Sequence, residues 1–359
     1  MRILHVITGM QKAAGTTTFV ENVVEGLRKL GHEVEVCTRI PLLEPANRPD
    51  VIHIHGLWSK LLHQTSVLAR QNGIPVVWST HGMTAPWSMR HKWCKKLPAW
   101  LLYQKWDLKR AAAIHCTTDL EVEWNRKLGF KNCFVAPLGT RLPNSTAGLG
   151  LRSRSTAEGR ILLFVGRVYP VKALDRLIEA FARVEESVRR NWTLRLVGPD
   201  QAGHMAELMA LCNRLGLTYS TQEQNGKASA VDLDLRPGPH QVEFVGPKYA
   251  QDLDNEYANC DCLALVSHTE NFGATVVDAM AHGKPVITST KTPWKVVADN
   301  KCGWWVSNGV ESLSATLREV FCSDDLPAMG SRGRKLVEER YTWSAVCDKM
   351  VRGYEELMK

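Results

Sequence analysis

Short apolar runs rich in β-branched residues recur along this chain and alternate with stretches of helical periodicity. Between the first two runs, FVENVVEGLRKLG repeats apolar residues three and four positions apart, as one buried helix face requires. Near-continuous apolar strands separated by helices are typical of a parallel sheet covered on both faces. The predicted strands are ILHVI (3–7), EVEVCT (33–38), VIHIHG (51–56), PVVWSTHG (75–82), AAIHCTT (112–118), CFVAPLG (133–139), ILLFVG (161–166), TLRLVG (193–198), VEFVG (242–246), CLALVS (262–267) and PVITS (285–289).

These strands fall into two groups, on either side of the Gly/Ser/Thr-rich stretch RLPNSTAGLGLRSRSTAEG. A length of 359 residues fits about two domains of roughly 150 residues each. We therefore predict an α/β chain of two Rossmann-like, doubly wound domains that face a cleft. The predicted parts are a first domain (1–145), a linker (146–158), a second domain (159–340) with a polar surface insertion (218–240), and an amphipathic terminal helix (341–359).

Composition excludes several protein classes. A hydrophobic content of 44% and a charged content of 23% are those of a soluble globular protein, and no run of 18 apolar residues suggests a membrane span. The start MRILHVITGM lacks the long apolar core of a signal peptide, so we expect a cytoplasmic location. The ten cysteines are scattered without a Cys-x-x-Cys pair, which favours free buried thiols over disulfides or zinc.

The net charge of +8 is concentrated in the first domain. Residues 1–145 carry 19 Lys and Arg against 10 Asp and Glu, whereas the remainder carries 26 against 27. A basic surface of this kind indicates an anionic partner, which could be a membrane, a nucleic acid or an acidic small molecule.

Much of that basic excess lies in PWSMRHKWCKKLPAWLLYQKWDLKRA, residues 86–111, which hold four tryptophans, seven Lys or Arg and one Asp. Interleaved rings and cations suit a membrane interface, where rings enter the headgroup layer and cations meet anionic lipid. A helix that packs its Trp and Leu side chains on the sheet is the favoured alternative, and nucleic-acid binding is the third.

The turn after the first strand, TGMQKAAGTTTFVENVV, contains Gly15 before a predicted helix. A small turn there lets the backbone approach a ligand, and helix N–H groups can bind phosphate. The turn matches neither the dinucleotide fingerprint nor a P-loop, because no lysine follows Gly15. A tight turn without a ligand therefore remains the alternative.

Two cations follow the strand ILLFVG. VGRVYPVKALDRLIEAF places Arg167 and Lys172 beyond the strand's carboxyl end and before a helix, where parallel sheets form their ligand crevice. Arginine binds oxygens through its fork and lysine acts as a point charge, so the pair could neutralise a diphosphate. For this motif taken alone, two solvated surface cations are the favoured alternative.

The stretch HTENFGATVVDAM surrounds a bend with two acids. The strand CLALVS ends before it, Phe272-Gly273 makes the turn, and a helix follows whose first N–H groups are free for an anion. Glu270 then projects from the loop and Asp278 from the helix, at two heights that suit hydroxyl recognition on either side of a diphosphate. Alternatively, Asp278 only stabilises the helix's positive end.

Three histidines lie at predicted strand ends: His53 and His55 on one face, and His81 in STHG. A pair two residues apart could bind a metal, but no third ligand is evident, so no metal site is predicted. Each ring could equally be a hydrogen-bonded residue lining the cleft.

Together these motifs resemble the retaining GT-B glycosyltransferases of family 4, over nearly the whole chain. The resemblance rests on the Gly15 loop, GHEVEVCT, VGRVYPVK, VEFVG, ENFGATVVDAMAHGKPVITS and the terminal YTW…Y helix. The set HIHGLW…STHGMTAPW…TPWKVV…CGWWV further resembles a subgroup from bacterial exopolysaccharide and capsule assembly. The resemblance implies the GT-B fold, with the terminal helix returning to the first domain.

The resemblance also implies roles. The second domain would hold a sugar nucleotide and the first an acceptor, without a metal or other cofactor. Arg167 and Lys172 would stabilise the departing diphosphate, and Glu270 would bind hydroxyls of the transferred sugar. The other implied donor contacts are backbone amides at Asn271, Phe272 and Gly273, ribose binding by Asp278, sugar contact by His81 and phosphate contact at Gly15. The candidates for acceptor or membrane contact are His55, Trp58, Trp93, Lys95 and Lys96.

Some positions depart from the family pattern. Asp278 stands where the family has a second Glu, Leu138 where Asn is common, and Trp294-Lys295 where a Glu often follows the proline. The expected function is retaining transfer of a hexose from a UDP- or GDP-sugar to a lipid-linked or oligosaccharide acceptor, in surface polysaccharide synthesis at the cytoplasmic membrane face. The alternatives are a sugar-nucleotide epimerase and a non-enzymatic basic module that binds membrane or nucleic acid.

Overall fold

The computed structural model describes residues 1–10, 15–143, 159–221 and 241–358. It divides into two compact units, one of Met1–Gly139 with Arg340–Lys359 and the other of Thr140–Glu339. The predicted linker lies outside the described residues, as does most of the predicted insertion. The start of that insertion is an ordered strand, so its first residues belong to the sheet and not to a surface loop.

The first unit is built on a six-stranded sheet in which every pairing is parallel. Its strands are β1 (Arg2–Ile7), β2 (Glu33–Cys37), β3 (Val51–His55), β4 (Val76–Ser79), β5 (Ala113–Cys116) and β6 (Cys133–Val135). The helices that precede the second unit are α1 (Gly15–Lys29), α2 (Lys60–Gln71), α3 (Pro86–Arg90), α4 (Trp93–Ala99), α5 (Lys105–Arg110) and α6 (Asp119–Lys127). The strand order is β2-β1-β3-β4-β5-β6. Every residue of β3 is buried, as expected for a central strand covered on both faces.

The second unit has seven parallel strands. They are β7 (Arg160–Val165), β8 (Trp192–Val197), β9 (Tyr219–Thr221), β10 (Val242–Gly246), β11 (Cys262–Leu265), β12 (Val286–Ser289) and β13 (Gly303–Val306), with helices α7 (Leu174–Arg183), α8 (Glu186–Arg189), α9 (His204–Arg214), α10 (Ala250–Asn259), α11 (Ala274–Ala281), α12 (Val296–Asp299), α13 (Val310–Cys322) and α14 (Leu326–Arg340). The order is β13-β12-β11-β7-β8-β10-β9. The predicted α/β class with doubly wound parallel sheets is confirmed.

The last helix, α15 (Trp343–Glu355), belongs to the first unit although it follows the second along the chain. Its buried face includes Cys347 and Tyr354, which share a core cluster with Phe19 of α1. Gly353 allows a close approach, because a Cβ there would lie 2.5 Å from the Phe134 ring. A glycine in this helix therefore serves tight packing of the helix on the sheet.

Two class-level expectations can be compared with the described chain. All ten cysteines lie within it and are free thiols, six of them buried, as predicted. None of its helices is both long enough and apolar enough to cross a bilayer.

Candidate functional site

The second unit brings together two loops that are far apart in the chain. Strands β7 and β11 are parallel neighbours, with Leu162 opposite Cys262, so their carboxyl ends lie at the same sheet edge. The backbone N–H of His268, in the loop after β11, donates to the carbonyl of Val171, in the loop after β7, at 2.8 Å. This contact holds the two predicted ligand loops side by side.

At that edge Lys172 and Glu270 form an ion pair, with 2.6 Å between Nζ and Oε2. The two side chains are only 14% and 17% exposed, so water screens the pair less than it would on an open surface. Arg167 lies in the same loop but is exposed, and its guanidinium donates to Gln201 Oε1 at 2.7 Å. The sequence therefore identified three charges at one edge, of which two are in direct contact.

The bend before α11 requires a glycine for steric reasons. Gly273 has φ +83°, and a Cβ there would lie 2.6 Å from Leu265 Cδ2. The indole N–H of Trp294 donates to the carbonyl of Phe272, and the two rings meet edge to face at 5.1 Å. The predicted Phe272-Gly273 turn is thus present, and buried Trp294 supports it. In the sequence, Trp294 stands out only as a departure from the family pattern.

Asp278 lies on α11 and already has a partner within its own unit. Thr140 Oγ1 donates to Asp278 Oδ1 at 2.6 Å, a contact between the first residue of the second unit and α11. Burial raises the pKa of Asp278 to about 6, against the lowering effect of that hydrogen bond. Thr140 was not a predicted site residue, and only the fold shows its proximity. Ribose binding by Asp278 stays a prediction.

In the first unit, Gly15 begins α1 and is exposed, with open space around a Cβ placed there. Residues 11–14, which complete the predicted phosphate loop, lie outside the described residues. The predicted contact of Gly15 with phosphate therefore stays a prediction. It would involve the backbone of Gly15, and no steric crowding requires a glycine at this position.

The same unit contains a network of buried histidines that extends across its central strands. Register places His5 beside His53 on β1 and β3, and Ser79 beside His115 on β4 and β5. The exposed fractions of these four side chains are at most 1%. The sequence had drawn attention to His53, His55 and His81, but not to His5, Ser79 or His115, because only the strand register makes them neighbours.

One hydrogen-bond chain in this network has a fixed direction. The carbonyl of Ala136 can only accept, so His115 Nε2–H donates to it at 2.7 Å and His115 Nδ1 is bare. Ser79 then donates to that nitrogen and accepts from His53 Nε2–H, each at 2.6 Å. Tyr354 on α15 donates to the bare His53 Nδ1 at 2.6 Å. The terminal helix is thereby tied to β3 by a buried hydrogen bond.

A metal ion is the other chemistry that clustered imidazoles can support. His5, His53 and His55 each offer a nitrogen within 4.8 Å of the others. Both nitrogens of His53 are, however, occupied by Tyr354 and Ser79. Binding of a metal ion by His53 would have to break a buried hydrogen bond. The arrangement therefore fits a hydrogen-bonded network better than a metal centre.

The candidate acceptor contacts differ in accessibility. His55 is 1% exposed and bonded to other histidines, so its ring is not accessible for the predicted contact with an acceptor. Trp58 is partly buried, with the Lys96 ammonium 5.7 Å from its ring centre. Trp93 and Lys95 are exposed.

Comparison with known proteins agrees with this architecture. Residues 152–335 match the family described as "Glycosyl transferases group 1", and residues 40–139 match "Glycosyl transferase 4-like domain". A D-inositol 3-phosphate glycosyltransferase of Saccharomonospora viridis is 28% identical over 222 residues, which are 60% of this chain and 47% of the relative. The chain thus spans about half the length of this curated relative.

Solved structures resemble the chain along its whole length. Sucrose-phosphate synthase from Thermosynechococcus elongatus superposes with a TM-score of 0.73 at 18% identity, covering 99% of both chains. HepE from Anabaena, solved in complex with UDP-glucose, gives 0.69 at 18% identity and covers 99% of this chain and 100% of its own. With the two parallel sheets, this likeness confirms the predicted GT-B fold.

Proposed function

The chain belongs to the group 1 glycosyltransferases, and on that premise we propose that it transfers a hexose from a UDP-sugar to a hydroxyl group of a lipid-linked or oligosaccharide acceptor. Relatives named as glycosyltransferases support transfer chemistry, and the UDP-glucose complex of HepE supports uracil as the base of the donor. An acceptor of the surface-polysaccharide type follows the exopolysaccharide-like motifs of the sequence.

The ion pair between Lys172 and Glu270 is the observation on which this proposal depends. Departure of a nucleoside diphosphate develops negative charge, which a fixed cation and the positive N-terminal end of α11 would stabilise. Glu270 would accept hydrogen bonds from sugar hydroxyls while it orients the ammonium beside it. Arg167 is exposed on the same loop and would add its fork to the diphosphate when it leaves Gln201.

In the proposed reaction the acceptor oxygen bonds to the anomeric carbon as the bond to the diphosphate oxygen breaks. The acceptor proton passes to the leaving phosphate, and attack occurs from the face that the diphosphate leaves, so configuration is retained. Cations and backbone amides of the protein take the role that a metal has in other transferases. A glycosidase-like pair of catalytic carboxylates is not required.

Donor screening followed by product analysis tests this proposal. UDP and UDP-hexoses are expected to raise the thermal unfolding midpoint more than GDP or ADP sugars, with or without a chelator. With polyprenyl-diphosphate-linked sugars as acceptors, NMR of the product should show the anomeric configuration of the donor. Stabilisation by GDP alone would show that the donor carries guanine and not uracil. An inverted product would refute retention.

Two other outcomes have distinct readouts. A sugar-nucleotide epimerase would convert the donor to its epimer without an acceptor, and no sugar would be transferred. A phosphorylated polyol such as inositol phosphate, named for the Saccharomonospora relative, is included as an acceptor in the same assay. Transfer to it in preference to lipid-linked sugars would replace the proposed acceptor class.

We further propose that helices α3 to α5 form a membrane-contact surface, here called the tryptophan–lysine surface. Asp107, the one acid of residues 86–111, is buried and bonded by His63, Ser66 and Arg70, so it does not offset the outer cations. Trp100 packs inward, against Phe130. The exposed apolar members are Trp87, Trp93, Leu97, Leu101, Leu102 and Trp106, and the exposed cations are Arg90, Lys92, Lys95, Lys105, Lys109 and Arg110.

Exposed rings and leucines, beside cations that form no ion pair with the described residues, fit an anionic bilayer surface. The protein is expected to sediment with vesicles of phosphatidylcholine and phosphatidylglycerol, but not with phosphatidylcholine alone, and to lose part of its binding in high salt. The double variant Trp93→Ser, Leu101→Ser should bind about tenfold less tightly or weaker. Leu42→Ser is the matched control, because Leu42 is 87% exposed in the same unit but outside this surface.

Equal binding by the wild type and the double variant would refute the membrane-contact surface. Salt-sensitive binding to nucleic acid, without binding to vesicles, would show that the cations of this surface contact nucleic acid and not lipid. A dimer that the double variant abolishes would show that a second copy covers the apolar residues instead.

A further inference from the structure

The backbone at His81 is held in an unusual conformation by a buried carboxylate. His81 has a backbone φ of +47°, which residues other than glycine rarely adopt. Its neighbours on both sides, the Thr80 hydroxyl and the Gly82 N–H, donate to Glu121 Oε1 at 2.6 Å each. Thr117 donates to Oε2 through its N–H at 2.8 Å and its hydroxyl at 3.0 Å. Four hydrogen bonds thus converge on one carboxylate and fix the turn that presents His81.

The His81 ring is the outer end of a row of three imidazoles. His55 Nδ1 lies 3.1 Å from His81 Nε2, and His55 Nε2 lies 2.8 Å from His5 Nδ1. His81 is partly exposed, while His55 and His5 are buried. The other nitrogen of His81, Nδ1, forms no hydrogen bond with a described residue. It is also not one of the fully buried side-chain atoms that lack a partner.

All three rings are neutral at pH 7. Burial lowers the pKa of His5 to about 3 and that of His81 to about 4, and it holds the pKa of His55 well below its ordinary value. The carboxylate of Glu121 opposes the shift at His81 but does not cancel it. A neutral imidazole carries one N–H, so the row can donate in only two directions.

The buried end of the row decides between them. His5 Nε2 is fully buried and has no partner among the described residues. If His81 donated inward, His5 would hold an N–H there with no acceptor, and orphaned buried N–H groups are the rarer defect. If His5 donates outward, only a bare nitrogen is left at that position. The positive charge of Arg28 lowers the pKa of His5 further and so helps to keep the ring neutral.

We propose that His5 and His55 are positioning residues that donate outward along the row and fix His81 in the tautomer with its proton on Nδ1. The inference rests on the proposed function and on the sugar contact that the family resemblance implies for His81. His81 then offers an N–H donor to an oxygen of the sugar, and its Nε2 is occupied. The ring is therefore a hydrogen-bond donor in this reaction and not the base that deprotonates the acceptor.

Nitrogen NMR of histidine-labelled full-length protein tests the tautomer without any substrate. The His81 resonances, assigned by their loss in His81→Asn, are expected to show a protonated Nδ1 and a bare Nε2 at neutral pH. His55→Leu removes the donor and should give a mixture of both tautomers. His55→Asn keeps an amide donor near the position of Nδ1 and should retain the Nδ1–H form.

Transfer kinetics give a second readout. His55→Leu is expected to lower kcat/KM about 10- to 100-fold, while His55→Asn recovers most of that loss. UDP binding, measured by thermal shift, should be unchanged in both. A proton on Nε2 of His81 in the wild type, or an unchanged tautomer in His55→Leu, would overturn the inference. Absence of any transfer activity would refute the proposed function instead, because the tautomer is measured independently.

Discussion

Replacing Glu270 by alanine is expected to lower the rate of sugar transfer about 10²- to 10³-fold, the range found when one preorganised polar contact is removed from an active site. The substitution removes the carboxylate that lies 2.6 Å from Lys172 Nζ and would bind sugar hydroxyls. The ammonium then loses the partner that fixes its direction, so the charge that stabilises the leaving diphosphate is less well placed. The measurement is nucleoside diphosphate released per unit time with donor and acceptor saturating.

Two further variants separate charge from placement. Glu270→Gln keeps a hydrogen-bonding side chain of similar size without the charge, so its rate should lie between those of alanine and wild type. Glu311→Ala is the matched control, because Glu311 forms a 2.7 Å ion pair with Arg183 in the same unit but is exposed. It should transfer sugar at the wild-type rate. Transfer by Glu270→Ala at that same rate would show that the site is wrongly assigned.

The sequence could place the charges of the candidate donor site at a sheet edge because the evidence for their positions is local. Arg167 and Lys172 follow one strand directly, and Glu270 follows another, so each could be placed at a carboxyl edge from periodicity alone. What periodicity does not reveal is that β7 and β11 are neighbours, since three strands separate them along the chain. The contact between Lys172 and Glu270 is a consequence of that order.

The histidine network shows the opposite case. His5 and His115 each lie in an apolar run where a lone histidine has no local signal. Their relation to His53 depends on the register of β1 with β3 and of β4 with β5, and on a tyrosine 301 residues from His53. Trp294 was visible, but its role was not, because its indole bonds a carbonyl 22 residues away. Long-range pairing of this kind cannot be deduced from spacing.

The buried histidines also make the first unit sensitive to acid. Burial lowers the pKa of His5 to about 3, and it lowers the pKa values of His53, His55 and His115 as well. These groups are neutral in the folded state and protonate freely when unfolded. The stability that they contribute is therefore complete above their unfolded pKa of about 6.5 and is lost as pH falls toward the folded values. Among charged neighbours, Arg28 strengthens the shift at His5, and Glu121 weakens the shift at His115.

The free energy of unfolding is accordingly expected to fall steeply below about pH 6, by up to about 1.4 kcal/mol per pH unit for each histidine whose folded pKa lies below that pH. His5, His53 and His55, whose pKa values are lowered far, together give about 4 kcal/mol per unit. That is comparable to the whole stability of a domain, so unfolding should begin between about pH 6 and 4. Urea titrations at a series of pH values measure this slope. His5→Phe, which removes one titrating ring, should reduce the slope by about one histidine's share. Val77→Ala, in the same core, should lower stability equally at every pH, and a wild-type slope in His5→Phe would contradict this origin of the acid sensitivity.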